Sequence, residues 1–323
     1  MNTLDALTPA RRPAAAGAEA DAGAALINSR IEKKIAQYRR ALAADPDDPA
    51  SHLDLANALC LLGRPAAAIV HFRDALAIDP SNAGGHNNLG LALQQLGELS
   101  EALVHHQRAL AINPDMAEAY ANLANILRRL GHLQDAAGCF QDALAVKPDS
   151  AAMHGDLAGV LHMLGRTDDA IAHYQEALTI QPGYADGYYN LGNIIRDRGR
   201  LEDAIRLYAE AVSIRPRFAE AHNNLANVLL QLGRYEEAVK WYETALAVKP
   251  GYAGACRNLG KAYFALNRPR DAIAAYERAV AIDPMQADVH NDLAAVHLAL
   301  GHAREAYVAF ERAAELLGAP RVR

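Results

Sequence analysis

Prolines stand at Pro46, Pro80, Pro114, Pro148, Pro182, Pro216, Pro250 and Pro284, and every interval is 34 residues. A fixed period of this length marks an array of one supersecondary unit, because such a unit buries its apolar face only by stacking on its neighbours. With this proline numbered position 32, the chain divides into eight units: 49–82, 83–116, 117–150, 151–184, 185–218, 219–252, 253–286 and 287–320. Length alone, 323 residues, points to about two compact domains. The phase replaces that expectation with a single all-α array.

Other positions keep the same phase. Position 7 is Leu in every unit, from Leu55 to Leu293, and position 8 is always Ala or Gly. Positions 20 and 27 are always Ala. Position 15 is Gly except at Asn267, and position 24 is Phe or Tyr except at His106. Positions 4, 7, 8 and 11 form one helical stripe, and 20, 24, 27, 28 and 30 form another. Each unit is therefore a helix pair. Gly at 15 closes the first helix in a left-handed conformation, and Asn is the expected substitute there. Pro65 and Pro269 sit at the first turn of the second helix, where proline is tolerated, and the proline at 32 ends it. Small residues at 8, 20 and 27 let the helices approach, and the ring at 24 fills the gap between units. This gives the composition its meaning. The chain is 51% hydrophobic but 6% aromatic. Alanine, 70 residues in all, fills positions 20 and 27 in every unit and shares position 8 with glycine, as a stack of thin layers requires.

The unit length and the order Leu, small, Gly, Ala, aromatic, Ala, Pro resemble the tetratricopeptide repeat family over residues 29 to about 317. The resemblance implies a right-handed superhelical solenoid of antiparallel helix pairs, with first helices lining a concave groove.

At the N-terminal side, residues 29–48 read as a half-repeat that caps the array. Ser29 and Glu32 form a capping box before a helix over 30–44, and Lys34 replaces the small residue at position 20. Residues 1–28 are Ala-rich and read as flexible or loosely helical. Residues 321–323 form a tail. The last unit carries Phe310, Leu316 and Leu317 with no polar helix after it, which suggests end-to-end self-association; Glu311, Arg312 and Glu315 solvating that end is the alternative.

Position 6 is Asp54, Asn88, Asn122, Asp156, Asn190, Asn224, Asn258 and Asp292, and position 9 adds Asn57, Asn125, Asn193 and Asn227. These lie one turn apart on one helix face, off the buried stripe. An amide offers two donors and an acceptor pair, and a peptide backbone presents one N–H and one C=O per residue. A row of amides suits an extended peptide held without regard to its side chains. The other reading is that the amides bond locally between neighbouring first helices. The Asn-Leu-Gly/Ala motif, as in Asn88-Leu89-Gly90 and Asn224-Leu225-Ala226, is similar to the repeat region of O-linked N-acetylglucosamine transferases. That resemblance implies that the position-6 asparagines bind substrate backbone. Asp54, Asp156 and Asp292 depart from the motif and offer no donor when ionised. A carboxylate clamp of the chaperone-tail type is not expected, because position 2 carries no Lys.

Catalytic chemistry is not expected. No phosphate-binding glycine loop occurs, and the three cysteines fall at three different repeat positions, so no zinc spacing appears. Histidines recur at position 4 (His52, His86, His154, His222, His290), a packing position. Equivalent residues in adjacent units stand about 10 Å apart, too far to share a metal. No metal or cofactor is therefore expected. A net charge of −6 argues against nucleic acid, and no apolar run is long enough to span a membrane. The sequence points to a cytoplasmic, non-catalytic protein-interaction scaffold holding a partner peptide in its groove. The alternatives are the substrate-recruiting part of an O-linked glycosyltransferase with its catalytic domain on another chain, and a self-assembling structural scaffold.

Overall fold

The structure, a computed structural model, describes residues 15–318, with side chains from residue 25 onward. The expectations for residues 1–14, for the last two residues of the eighth repeat and for the tail 321–323 fall outside the described residues. Among the described residues every regular element is an α-helix. Helix α1 (Ala15–Ala44) precedes a series of pairs: α2 (Pro49–Leu61) with α3 (Pro65–Ile78), α4 (Ala83–Gln95) with α5 (Leu99–Ile112), α6 (Ala117–Arg129) with α7 (Leu133–Val146), and α8 (Ala151–Met163) with α9 (Thr167–Ile180). Then come α10 (Ala185–Asp197) with α11 (Leu201–Ile214), α12 (Ala219–Gln231) with α13 (Tyr235–Val248), α14 (Ala253–Ala265) with α15 (Pro269–Ile282), and α16 (Ala287–Ala299) with α17 (Ala303–Leu316). They fall into two compact units that divide between Gln181 and Pro182, at one of the periodic prolines. Within each unit, every second helix packs on its own first helix and, where another repeat of the same unit follows, on the first helix of that repeat.

The helix boundaries arise from local chemistry. Asp48, Asn82 and Ser150 cap α2, α4 and α8, each accepting a hydrogen bond from a backbone N–H of the first turn. Pro65 and Pro269 open α3 and α15. Asn267 has φ 58° and is the one non-glycine with positive φ among the described residues, so the amide does take the place of the glycine. One boundary differs from the sequence reading. The first helix begins at Ala15, so Ser29 lies inside it and caps nothing. The stretch before Ser29 is rich in alanine, the strongest helix former, and carries the helix back through Gly17 and Gly23. Glu32 instead accepts a hydrogen bond from Arg64 Nη2 on the following repeat, at 2.7 Å.

In the second, fifth and seventh repeats the ring at position 24 closes directly on position 8. Phe72, Phe140, Tyr208 and Tyr242 are fully buried, as is every Ala at position 20. In the first unit the apolar cluster runs from Ile35 on α1 through Leu55 and Phe72 to Leu89 and Leu93 on α4. Burying each Leu contributes about 1.5–3 kcal/mol. Where position 8 is glycine, the ring fills the space a methyl group would need. A Cβ on Gly260 would stand 2.6 Å from Tyr276 Cε1, and one on Gly192 would stand 2.8 Å from Tyr208 Cε1. Gly90 accommodates His106 in the same way, with ring atoms 2.7 Å from where its Cβ would be. His106 is fully buried in the aromatic slot. Its Nδ1 bonds Asn87 Oδ1 at 3.1 Å and its Nε2 bonds Gln94 Nε2 at 3.0 Å. An amide oxygen only accepts, so Nδ1 carries the hydrogen and Nε2 accepts. Burial pulls the pKa of His106 down from 6.5 to about 4, with a smaller effect from His105.

These contacts make two predictions. Replacing Gly260 by Ala should lower stability by about 1–3 kcal/mol through overpacking against Tyr276. Replacing Gly254, whose Cβ would meet Tyr252 at an ordinary 3.7 Å, should leave stability unchanged or raise it by up to ~1 kcal/mol. Urea-denaturation midpoints of the two variants decide between these outcomes. The second prediction concerns pH. Below 6.5 the unfolded chain takes up a proton at His106 that the folded chain refuses until about 4. Stability from this group is therefore complete above the window and is lost as pH falls through it, by at most on the order of 3 kcal/mol. His106→Tyr, which restores the Gly–Tyr pairing of the Gly192 and Gly260 repeats, should lose less stability than the parent chain between about pH 7 and pH 5.

Candidate functional site

The first helices carry the amide row, and in both units successive first helices lie side by side. Position 6 precedes the buried Leu by one residue, which leaves its side chain at the edge of the packed face. Asn57, Asn88, Asn122, Asn125, Asn190, Asn193, Asn224, Asn227 and Asn258 are all half-buried.

In the first unit, Asn88 Nδ2 donates to Asn57 Oδ1 of the preceding repeat at 3.0 Å. Asn122 has Leu91 at the equivalent place, which offers no acceptor, and donates instead to Asn87 Oδ1 at 3.1 Å. The Asn87 oxygen thus serves both Asn122 and His106. Asn125 Oδ1 accepts from Arg128 Nη2 at 2.9 Å. Asp156 is a half-buried carboxyl, its pKa raised by burial against an opposing pull from the Arg128 guanidinium.

In the second unit the same bonds recur. Asn224 Nδ2 donates to Asn193 Oδ1 at 2.9 Å and to Tyr189 Oη at 3.2 Å. Asn258 Nδ2 donates to Asn227 Oδ1 at 2.9 Å. The position-9 oxygens accept a second bond from the ring below: Tyr208 Oη donates to Asn193 at 2.7 Å and Tyr242 Oη donates to Asn227 at 2.6 Å. Burial drives both phenols far above their ordinary pKa, so they remain donors. Asp292 continues the row as an ion pair, with Arg257 Nε at 2.6 Å and Lys261 Nζ at 3.8 Å. Among the described residues the Asn190 side chain has no hydrogen-bond partner.

Where Asn occupies position 9, the next position-6 Asn bonds to it, as Asn88, Asn224 and Asn258 do. The local arrangement that the sequence left open is therefore present for these three pairs. What sequence reasoning missed is the part played by position 24 and position 5. Tyr208, Tyr242, Asn87, Tyr189 and Arg257 anchor the row from beneath or beside it. A second omission is a set of histidine pairs within single repeats, at a spacing of 19 residues: His52 with His71, His86 with His105, His154 with His173. Among the described residues no helix is long and apolar enough to cross a membrane.

Comparison with known proteins adds the family. Tetratricopeptide repeat models match residues 82–149, 183–251 and 217–285, and a second such model matches 121–185 and 257–319. Two further repeat models match 56–97 and 37–70. No curated protein matches the chain. Among solved structures, the chain is similar in fold to the Cut9–Hcn1 hetero-tetramer of the APC/C, at 17% identity and a TM-score of 0.59, over 85% of this chain and 54% of that one. It is also similar to MamA from Desulfovibrio magneticus RS-1, at 22% identity and a TM-score of 0.49, over 51% of this chain and 94% of that one. YrrB, described as a TPR protein with an unusual peptide-binding site, is 22% identical with a TM-score of 0.47, over 57% of this chain and 95% of that one. With its repeats matched across both units, the chain belongs to the tetratricopeptide repeat family.

Proposed function

We propose that the first-helix face holds an extended segment of a protein partner through its asparagines, as a binding surface and not a catalytic one. The observation that carries this reading is the unused hydrogen-bonding capacity of a half-buried row. Asn190 has both N–H groups and its carbonyl available among the described residues, and Asn88, Asn122 and Asn258 each use one N–H laterally. A peptide backbone offers the matching N–H and C=O at each residue. The lateral bonds hold the amide planes before a ligand arrives, which reduces the ordering cost of binding. The likeness of the Asn-Leu-Gly/Ala motif to that of O-linked N-acetylglucosamine transferases supports the same backbone-reading role. Recruiting substrates to a catalytic domain on a separate chain is one use such a surface serves.

Extended peptides of randomised sequence, titrated against the full chain, test the reading. Asn190→Ala removes no internal bond, so it should leave stability intact while weakening binding up to about tenfold, the worth of one or two hydrogen bonds. Backbone N-methylation of the peptide should abolish binding. Affinity that is indifferent to Asn190→Ala, Asn258→Ala and N-methylation refutes the amide row as the ligand surface.

A specific observation favours self-association as a second reading. Phe310 occupies position 24, where Phe72 and Phe140 are fully buried, yet it is 41% exposed, with Tyr307 and Leu317, three residues before it and seven after, exposed along the same side. An apolar face of this kind commonly marks an association surface. Light scattering should then give a mass that rises with concentration, and Phe310→Ser should return it to the monomer value. A monomer mass for the parent chain at high concentration removes this second reading.

A further inference from the structure

In the first, second and fourth repeats, position 4 of the first helix and position 23 of the second are both histidine. The two helices of a repeat meet there, and the rings face each other through Nδ1. The separations are 3.2 Å for His52 and His71, 2.9 Å for His86 and His105, and 3.0 Å for His154 and His173. The remaining nitrogen of each position-4 ring is also engaged. His52 Nε2 lies 3.0 Å from the carbonyl oxygen of Pro46, His86 Nε2 lies 3.2 Å from that of Pro80, and His154 Nε2 lies 3.1 Å from that of Pro148. A carbonyl oxygen only accepts, so Nε2 carries the hydrogen and the Nδ1 lone pair is aimed at the partner ring. The periodic proline that ends a second helix therefore also orients a histidine of the next repeat. Two imidazoles facing nitrogen to nitrogen require a hydrogen or a cation between them.

The three pairs differ in the side chain at position 26, one turn beyond the second histidine. It is Asp74 in the first repeat, Arg108 in the second and Glu176 in the fourth. Asp74 Oδ2 lies 3.8 Å from His52 Nδ1 and 3.9 Å from His71 Nδ1. Among the described residues this is the one group in which three ligand atoms converge, all within 4.8 Å of one another. We propose that His52, His71 and Asp74 bind one divalent transition ion of the zinc class between α2 and α3.

The geometry fits. Ligands about 2.0–2.1 Å from a tetrahedral ion stand about 3.3–3.4 Å from one another. The two nitrogens are already near that separation. The carboxylate must close by a few tenths of an ångström, and its side chain is 49% exposed and free to turn. The donor set of two imidazoles and one carboxylate suits zinc, cobalt, nickel and copper and does not suit magnesium or calcium. The Pro46 carbonyl supplies the outer-shell bond that fixes ligand orientation in such sites. His71 is 27% exposed at its side chain, so solvent reaches the site and water completes the fourth position. Burial, together with neighbouring His52 and Arg39, lowers the proton affinity of His71 against an opposing pull from Asp74. In the second repeat Arg108 places a cation where the third ligand would stand, and it too lowers the proton affinity of His105. That repeat is a built-in control.

The experiment uses the full chain, free of any affinity tag and stripped with a chelator. Titration with zinc alone, by calorimetry near neutral pH, should give one saturable site per chain. Cobalt in its place should develop the visible absorption of a tetrahedral ion. His71→Gln and Asp74→Asn should each weaken binding by about tenfold or more, whereas His105→Gln should leave it unchanged. Asp74 and His71 are both partly exposed, and helical circular dichroism equal to the parent chain confirms that the variants fold. Three results overturn the proposal: no saturation below about 1 mM zinc, a fraction of the affinity expected of such sites; His71→Gln binding as the parent chain does; or loss of the site on His105→Gln or His173→Gln instead.

Discussion

The contact on which the rest of each unit depends is that between the small residue at position 8 and the ring at position 24. It decides how near the two helices of a repeat lie. With glycine at position 8 the ring sits against bare backbone, so closely that a methyl group on Gly260 would stand 2.6 Å from Tyr276. The alanines at 20 and 27, all essentially inaccessible to solvent, extend that closeness along the pair. Packing of this kind leaves little room for long aliphatic chains and makes the layer thin. Where the ring is tyrosine it has one polar atom to place, and the location of that atom governs the chemistry of the exposed face.

That polar atom reaches the amide row. Tyr208 and Tyr242 lie buried in the repeat interior and donate from below to Asn193 and Asn227. Those amides in turn accept from Asn224 and Asn258 of the following repeat. Core packing, the link between repeats and the orientation of the surface amides therefore form one chain of contacts. His106 shows the same logic with different chemistry. Its ring fills the slot, and its Nδ1 turns toward Asn87, whose oxygen also receives Asn122. The connection between core and row is kept at the cost of a buried imidazole that must stay neutral.

Most of the architecture is legible in the sequence because it depends on residue types at fixed positions within one repeat. The period, the Leu at position 7, the glycine turn and even its replacement by Asn267 all come from steric rules that act locally. The amide bonds are less legible, because each joins residues 31 or 35 apart and depends on what the neighbouring repeat offers. Asn122 illustrates this: with Leu91 where its fellows find an amide, it turns to Asn87. The start of α1 departs from its sequence signal for another reason. Ser29 and Glu32 have the spacing of a capping box, but the alanine-rich stretch before them favours helix more strongly than the cap favours a boundary.

The histidines at position 4 show how a repeat hides a pairing. Compared from unit to unit, they stand too far apart to act together and look like interchangeable bulk, since Tyr120, Tyr188 and Cys256 occupy the same place. Their partners lie within the same repeat, on the antiparallel second helix. Lining up like positions cannot reveal a relation between unlike positions. Where position 23 is Trp241 the imidazole of His222 stacks on an indole, and its buried Nδ1 has no hydrogen-bond partner among the described residues. Where position 23 is histidine that same nitrogen meets another lone-pair-bearing ring. The backbone is common to these repeats, so the residue at position 23 alone converts a packing position into a polar one.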